Sequence, residues 1–310
     1  MHPHRPDPRT LAQQAVDSIE DFDGPYRGFR RAHAKGACFR AVFTPNGSAS
    51  PLTTAAHLQH QEVPAVVRFS GSNPDPGMAD LLSPAKGMAV QFHLPDKSIT
   101  NIVAATIPVF FARTPESFID IMKTVAAFKH KELSLQEKIG AVIEHFSESK
   151  NAFLHLGALK PPVSYATSRY FSIHAFYFVN DKGDRQAVKY EWEPDLGIQA
   201  LSAREAKSQP SDYLEEDLIK RTAQGRVSFK LNIVLGDPTD PTDDPTLTWP
   251  DQRERMEIGS LSITGPIPEP DGLIMDPTLL TPGIELSEDP ILNFRHEAYA
   301  ISHHRRSMME

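Results

Sequence analysis

Val227-Ser228-Phe229-Lys230-Leu231-Asn232-Ile233-Val234-Leu235 alternates along its length, with Val227, Phe229, Leu231, Ile233 and Leu235 on one side. A period of two marks a β-strand with one buried face. Runs of similar character occur at 38–45 (CFRAVFTP), 63–70 (VPAVVRFS), 87–94 (GMAVQFHL) and 100–105 (TNIVAA). Others lie at 170–180 (YFSIHAFYFVN), 187–193 (AVKYEWE) and 256–264 (MEIGSLSIT). Turn-forming clusters, such as the Pro/Gly/Asn/Asp group at 73–77, separate them. Two stretches at 117–128 (SFIDIMKTVAAF) and 135–146 (LQEKIGAVIEHF) instead repeat apolar residues at helical spacing, dividing the strands into two sets. About eight strands in two sets predict an α+β fold, an antiparallel eight-stranded β-barrel with added helices, because closure removes exposed edges.

Residues 10–22 (TLAQQAVDSIEDF) read as a short amphipathic helix on an N-terminal arm, residues 1–28, before a barrel domain over 29–310. The segment 237–246 (DPTDPTDDPT) is expected to be a loop and 267–283 (IPEPDGLIMDPTLLTPG) an extended wrap, in keeping with 27 prolines. The stretch from Leu286 to the end is expected to be a helix interrupted near Pro290.

The formal net charge of −8 argues against non-specific nucleic-acid binding, which needs a basic face. A single cysteine, Cys38, permits no internal disulfide and no Cys-based metal cluster, and is read as a small buried hydrophobe. The opening MHPHRPDPRT has no apolar core of a signal peptide and no long apolar run occurs elsewhere, so a cytoplasmic protein without a membrane span is expected. Thirteen histidines invite a metal hypothesis, yet there is no HExxH, and His57, His60 and His93 read as exposed or satisfied side chains.

Three segments carry the chemistry: Arg30-Arg31-Ala32-His33-Ala34-Lys35-Gly36; Val67-Arg68-Phe69-Ser70 with Lys86-Gly87-Met88-Ala89-Val90-Gln91-Phe92 and Pro108-Val109-Phe110-Phe111; and Pro282-Gly283-Ile284-Glu285 with Arg295-His296-Glu297-Ala298-Tyr299 and His303-His304-Arg305-Arg306. In this order they resemble the haem-dependent catalase family, over roughly residues 25 to 306. The resemblance ends just after the last segment, without the helical domain or flavodoxin-like extension of longer catalases, and is nearest to the minimal, catalase-related peroxidases.

The resemblance implies a haem b whose ferric iron is ligated by Tyr299 as tyrosinate. Arg295, one helical turn before Tyr299, would favour the phenolate as a fixed cation, supported in turn by Asp289. Arg30, Arg68 and Arg306 match the arginines that hold the two propionates, by charge-assisted forked hydrogen bonds. His33 would be the acid–base group that moves a proton between the oxygens of a bound peroxide, with Ser70 fixing its tautomer. Phe110 and Phe111 would wall the haem pocket or its channel.

Two departures stand out. Where the family reads G-N-N-T-P, this chain reads Ala104-Ala105-Thr106-Ile107-Pro108, so the distal asparagine is replaced by Ala105 and Thr106 is the nearest remaining hydroxyl donor. Glu191 stands where many catalases have a histidine near the proximal arginine, which suggests a direct Glu191–Arg295 pair. The expectation is a haem peroxidase that reduces organic hydroperoxides or hydrogen peroxide through a ferryl intermediate, using a small-molecule electron donor, as a homodimer or monomer. The alternatives are a true minimal catalase disproportionating hydrogen peroxide, a hydroperoxide-rearranging enzyme of the allene oxide synthase type, and a non-catalytic haem-binding protein.

Overall fold

The alternating runs close on themselves in a computed structural model, which describes residues 9–128, 134–225 and 227–308; the first eight residues of the arm lie outside it. In chain order the elements are α1 (Leu11–Asp23), β1 (Gly36–Pro45), β2 (Val63–Gly71), β3 (Lys86–His93), β4 (Ile99–Ala105), α2 (Pro115–Phe128), α3 (Leu135–His145) and α4 (Lys150–Ala158). They continue as β5 (Tyr170–Phe171), β6 (Phe176–Val179), β7 (Arg185–Pro194), α5 (Ala203–Lys207), α6 (Tyr213–Gln224), β8 (Val227–Leu235), β9 (Arg255–Ile267), β10 (Ile284–Leu286) and α7 (Pro290–Ser307). The order β7-β5-β4-β3-β2-β1-β9-β8 returns to β7 through a β7–β8 ladder, giving a closed antiparallel ring of eight strands. Strands β6 and β10 continue from β7 as a flap outside the ring.

One parity of each strand fills the ring. Phe39, Ala41 and Phe43 of β1, Ala65, Val67 and Phe69 of β2, and Met88, Val90 and Phe92 of β3 are buried in one cluster. Tyr190 and Trp192 of β7 and Phe229, Leu231 and Ile233 of β8 belong to the same cluster, as do Ile102 of β4 and Leu261 of β9. Rings meet edge to face, Phe43 with Phe92 at 5.3 Å and with Trp192 at 6.4 Å between centroids. Removing any of these rings by substitution with alanine would cost about 3–5 kcal/mol. The other parity faces outward. There Cys38, Val66, Ala89 and Val103 are covered by Leu273 and Met275 of the wrap, which runs across the ring without regular structure. The wrap is tied down where Asn101 Nδ2 donates to the Asp276 carbonyl at 2.8 Å and the Leu279 carbonyl accepts from the Asn101 amide at 3.1 Å.

Two boundaries differ from the sequence-based expectation. The run 170–180 is two strands, because the Ser172 hydroxyl takes the place of a backbone acceptor: it accepts from the Tyr190 amide at 2.8 Å and donates to the His174 carbonyl at 3.1 Å. Residues 172–175 thus oppose only 189–190, a bulge that bends the strand and re-aims His174. Pro290 begins the last helix rather than interrupting it. Its missing N–H costs nothing at the first helical position, and the Asp289 carboxylate caps the Ile291 and Leu292 amides at 2.8 and 3.2 Å. Leu286 belongs to β10 instead. Helices α4, α5 and α6 were not foreseen.

The arm is not a free extension. Helix α1, started by a Thr10–Gln13 capping box, packs on α2 and α7. Its Asp17 and Glu20 carboxylates pair with Arg305 at 2.6 and 2.9 Å, and Glu20 also pairs with Arg31. No described helix is long and apolar enough to cross a membrane.

His57 is neither exposed nor satisfied. It is fully buried against Phe92, with a hydrogen-bond partner for neither ring nitrogen among the described residues, and burial pushes its pKa down to about 3. The unfolded chain therefore binds a proton that the folded chain refuses, and stability contributed by this site falls as pH drops from about 6.5 toward 3. Replacing His57 by leucine should raise unfolding free energy by about 2 kcal/mol more at pH 5 than at pH 8, read from denaturant melts.

Candidate active site

One row of directly paired residues crosses four strands: Gly36 of β1 opposite Ser70 of β2, Ser70 opposite Gly87 of β3, and Gly87 opposite Ala105 of β4. Paired residues present side chains to the same face, here the outer one. His33 lies over this row, its Nδ1 3.0 Å from the Ser70 hydroxyl. The two glycines are demanded by close approach. A Cβ on Gly87 would lie 2.8 Å from Ser70 Oγ and 3.0 Å from His33 Nδ1, and one on Gly36 would lie 2.7 Å from the Arg68 guanidinium carbon. His33 itself has a φ of 54°, held there by the Ala34 amide bonding the Asn73 carbonyl at 3.1 Å and the Gly71 amide bonding the Lys35 carbonyl at 3.2 Å. Loss of hydration, then the charges of Arg68 and Arg295, push the His33 pKa down to about 4, with Arg30 adding to the same effect and the Gly71 backbone opposing it. His33 is thus neutral at ordinary pH.

Thr106 is not part of this row. Its amide donates to the Lys86 carbonyl at 2.9 Å and its hydroxyl accepts from the Lys86 amide at 3.0 Å, so it extends the β3–β4 ladder one step. Strand alternation sends its side chain to the other side from Ala105. The expected role of Thr106 as replacement donor is therefore corrected: its hydroxyl is engaged with β3, and Ala105 brings the row only a methyl.

On α7, Arg295 Nη2 donates to the Tyr299 hydroxyl oxygen and Nη1 donates to His174 Nε2 at 3.1 Å. A guanidinium has only donors, so His174 Nε2 accepts and its Nδ1–H donates to the Asp289 carboxylate at 2.6 Å. His174 and Asp289 are both buried, and burial, partly offset by Asp289, lowers the His174 pKa, in keeping with a neutral ring. The Asp289 carboxylate thereby caps α7 with one oxygen and orients His174 with the other. The expected Glu191–Arg295 pair is not formed. Trp192 points into the ring, so its neighbour Glu191 points out, where it accepts from Arg255 at 3.1 Å. Asp289 supports Arg295 as expected, but through His174, which the sequence analysis missed; its only signal was a histidine breaking the alternation of 170–180.

Arg30, Arg68 and Arg306 come from the loop before β1, from β2 and from α7, and converge on one carboxylate, Glu269 of the wrap, at 2.6, 3.2 and 3.2 Å. Arg30 and Arg306 also share the Leu273 carbonyl at 3.1 and 3.3 Å, and Arg68 donates to the Ala34 carbonyl at 3.1 Å. Burial, then repulsion from Arg30, lowers the Arg68 pKa to about 10. Burial alone would raise the Glu269 carboxyl, but Arg30, Arg68 and Arg306 bring it below the usual range. Sequence analysis brought these arginines together but missed Glu269. Phe111 packs on Phe110 and Phe118 at 4.5 and 5.5 Å, in an aromatic cluster with α2, α3 and α4.

A family model described as Catalase matches residues 9–309. The chain belongs to the catalase family. Among curated catalase-family proteins it is 33% identical over 298 residues to a catalase-related peroxidase of Synechococcus elongatus, covering 95% of this chain and 88% of that one. It is 35% identical over 293 residues to a catalase-related peroxidase of Mycolicibacterium paratuberculosis, covering 93% and 92%. A fungal catalase crystal structure superposes with a TM-score of 0.79 at 23% identity, covering 94% of this chain and 62% of that one, which supports the catalase barrel as the fold. Among the described residues no group of three or more His, Cys, Asp or Glu side chains is placed to hold a metal ion.

The Asp289–His174–Arg295 chain gives a direct comparison of two substitutions. His174→Ala strands the Asp289 carboxylate in the interior and should cost about 3 kcal/mol or more in unfolding free energy. Glu191→Ala removes only an outer-face pair and should change it by less than about 1 kcal/mol in the same denaturant melts.

Proposed function

We propose that this catalase-family chain is a haem peroxidase, an oxidoreductase that reduces organic hydroperoxides or hydrogen peroxide with electrons from an outside small-molecule donor. The residues present fit a haem. Three guanidiniums already converge on a carboxylate, as propionates require, and a tyrosine hydroxyl stands beside a fixed cation. Tyr299 would ligate the iron of haem b as tyrosinate, Arg30, Arg68 and Arg306 would hold the propionates, and Phe111 would wall the pocket. When bound, the haem supplies the redox chemistry that splits the peroxide O–O bond.

The chain's own residues do the rest. His33, neutral because of its buried and cationic surroundings, accepts the proton from the hydroperoxide oxygen and returns it to the departing one, so that this leaves as water or an alcohol. Ser70 holds Nδ1 and leaves Nε2 for that transfer. Arg295 holds the Tyr299 oxygen, and His174 with Asp289 prevents Arg295 from turning away.

The observation that favours a peroxidase over a disproportionating catalase is Ala105 in the row beneath His33. A methyl cannot hydrogen-bond a second small peroxide, whereas proton transfer by His33 needs no such donor.

Tyr299→Phe should abolish retention of the haem pigment in the purified protein; full pigment with full peroxide turnover in that variant contradicts the assignment. His33→Ala should keep the pigment and lower peroxidase turnover by about 100-fold or more. Because the free-protein pKa of His33 is near 4, the acid limb of the wild-type rate should fall near pH 4 and not near 6.5. Ala105→Asn should raise oxygen evolution from hydrogen peroxide relative to donor oxidation, measured with an oxygen electrode against a chromogenic donor assay.

A further inference from the structure

The arginine cluster poses a charge problem that haem alone does not solve. Arg68 and Arg306 are buried, and with Arg30 they bring three positive charges into one small volume. Before a haem is acquired, repulsion between them must be balanced by the chain itself, and among the described residues Glu269 is the carboxylate that meets all three. It accepts from Arg30 Nη1, Arg306 Nη1 and Arg68 Nε, while the second Nη of each arginine is anchored on a backbone carbonyl, Leu273 for Arg30 and Arg306 and Ala34 for Arg68. The guanidiniums are therefore fixed by backbone, and the N–H groups they aim at a common point are filled by a side chain. That side chain is one-third exposed, at 35%, and sits on the irregular wrap, whereas Arg68 is 5% exposed. The carboxylate is the member of the cluster with room to swing into solvent.

Resting on the haem assignment above, we infer that Glu269 is a placeholder for a haem propionate: it holds Arg30, Arg68 and Arg306 in position in the unloaded chain and yields them to the incoming carboxylate. Glu269 is a positioning residue, since it acts through the arginines. The recognised group is a carboxylate-bearing porphyrin, and the chain's own carboxylate competes with it. A ligand that displaces an internal competitor binds more weakly than it would to a site without one, by the free energy of the interactions lost.

The test compares wild type, Glu269→Gln and Glu269→Asp in the full-length chain. Haem loss from the loaded protein to excess apomyoglobin should slow about tenfold or more in Glu269→Gln, since the glutamine loses charge-assisted bonds in the unloaded state only. Haemin dimethyl ester, whose blocked propionates cannot take the arginines, should bind wild type and Glu269→Gln alike. The unloaded Glu269→Gln protein should melt at lower temperature than wild type, and inorganic phosphate should recover the difference where chloride at equal ionic strength does not. Glu269→Asp, charged but shorter, should fall between the two. Faster or unchanged haem loss in Glu269→Gln overturns the placeholder role and leaves the haem assignment intact. A wild-type chain that takes up no haemin overturns both.

Discussion

The chain of hydrogen bonds from Asp289 through His174 and Arg295 to Tyr299 ties the last helix to the barrel wall, and the candidate site depends on it. Helix α7 carries Tyr299, Arg295 and Arg306 on its own periodicity, but nothing in that periodicity says where the helix lies. Its position is set where the Ser172 bulge turns His174 out of the β5–β6 line to meet the carboxylate that also caps the helix. Asp289 joins local helix initiation to tertiary placement in one buried group. Its loss would leave both the helix start and the orienting histidine without a partner.

The barrel separates its two tasks by strand parity. Inward residues supply the apolar burial that stabilises the ring, at about 1.5–3 kcal/mol for each large side chain. Outward residues of the same strands supply the Ser70, Gly87 and Ala105 row, Arg68 and the floor on which the wrap lies. A substitution on the outer parity can therefore change the chemistry without opening the core, and Ala105 is such a position. The same parity explains why Glu191 misses Arg295: with Trp192 committed to the core, its neighbour must face away.

The strands other than those of 170–180 and β10 were legible because a half-buried ladder imposes a period of two, and α1 because its apolar residues recur at helical spacing. The split of 170–180 was not, since it depends on one serine hydroxyl replacing a backbone acceptor, and serine serves many other purposes. Pro290 was legible as a break but not as a beginning, because whether proline ends or starts a helix turns on the cap before it. His57 was misjudged, since the residues next to a histidine in sequence do not reveal that it is buried against Phe92 of β3.

The sequence by itself determined which segments the proposed site draws on, since the proposed ligand, proton carrier and arginines lie in short motifs whose order is fixed by the covalent chain. The tertiary structure alone decided which of them have partners. It placed His174 rather than Glu191 behind Arg295, withdrew Thr106 from His33, and set Glu269 among three arginines drawn from distant parts of the chain. The physical reason is range: periodicity and capping act over a few residues, while a hydrogen bond or ion pair between residues some hundred or two hundred positions apart exists only once the ring has closed.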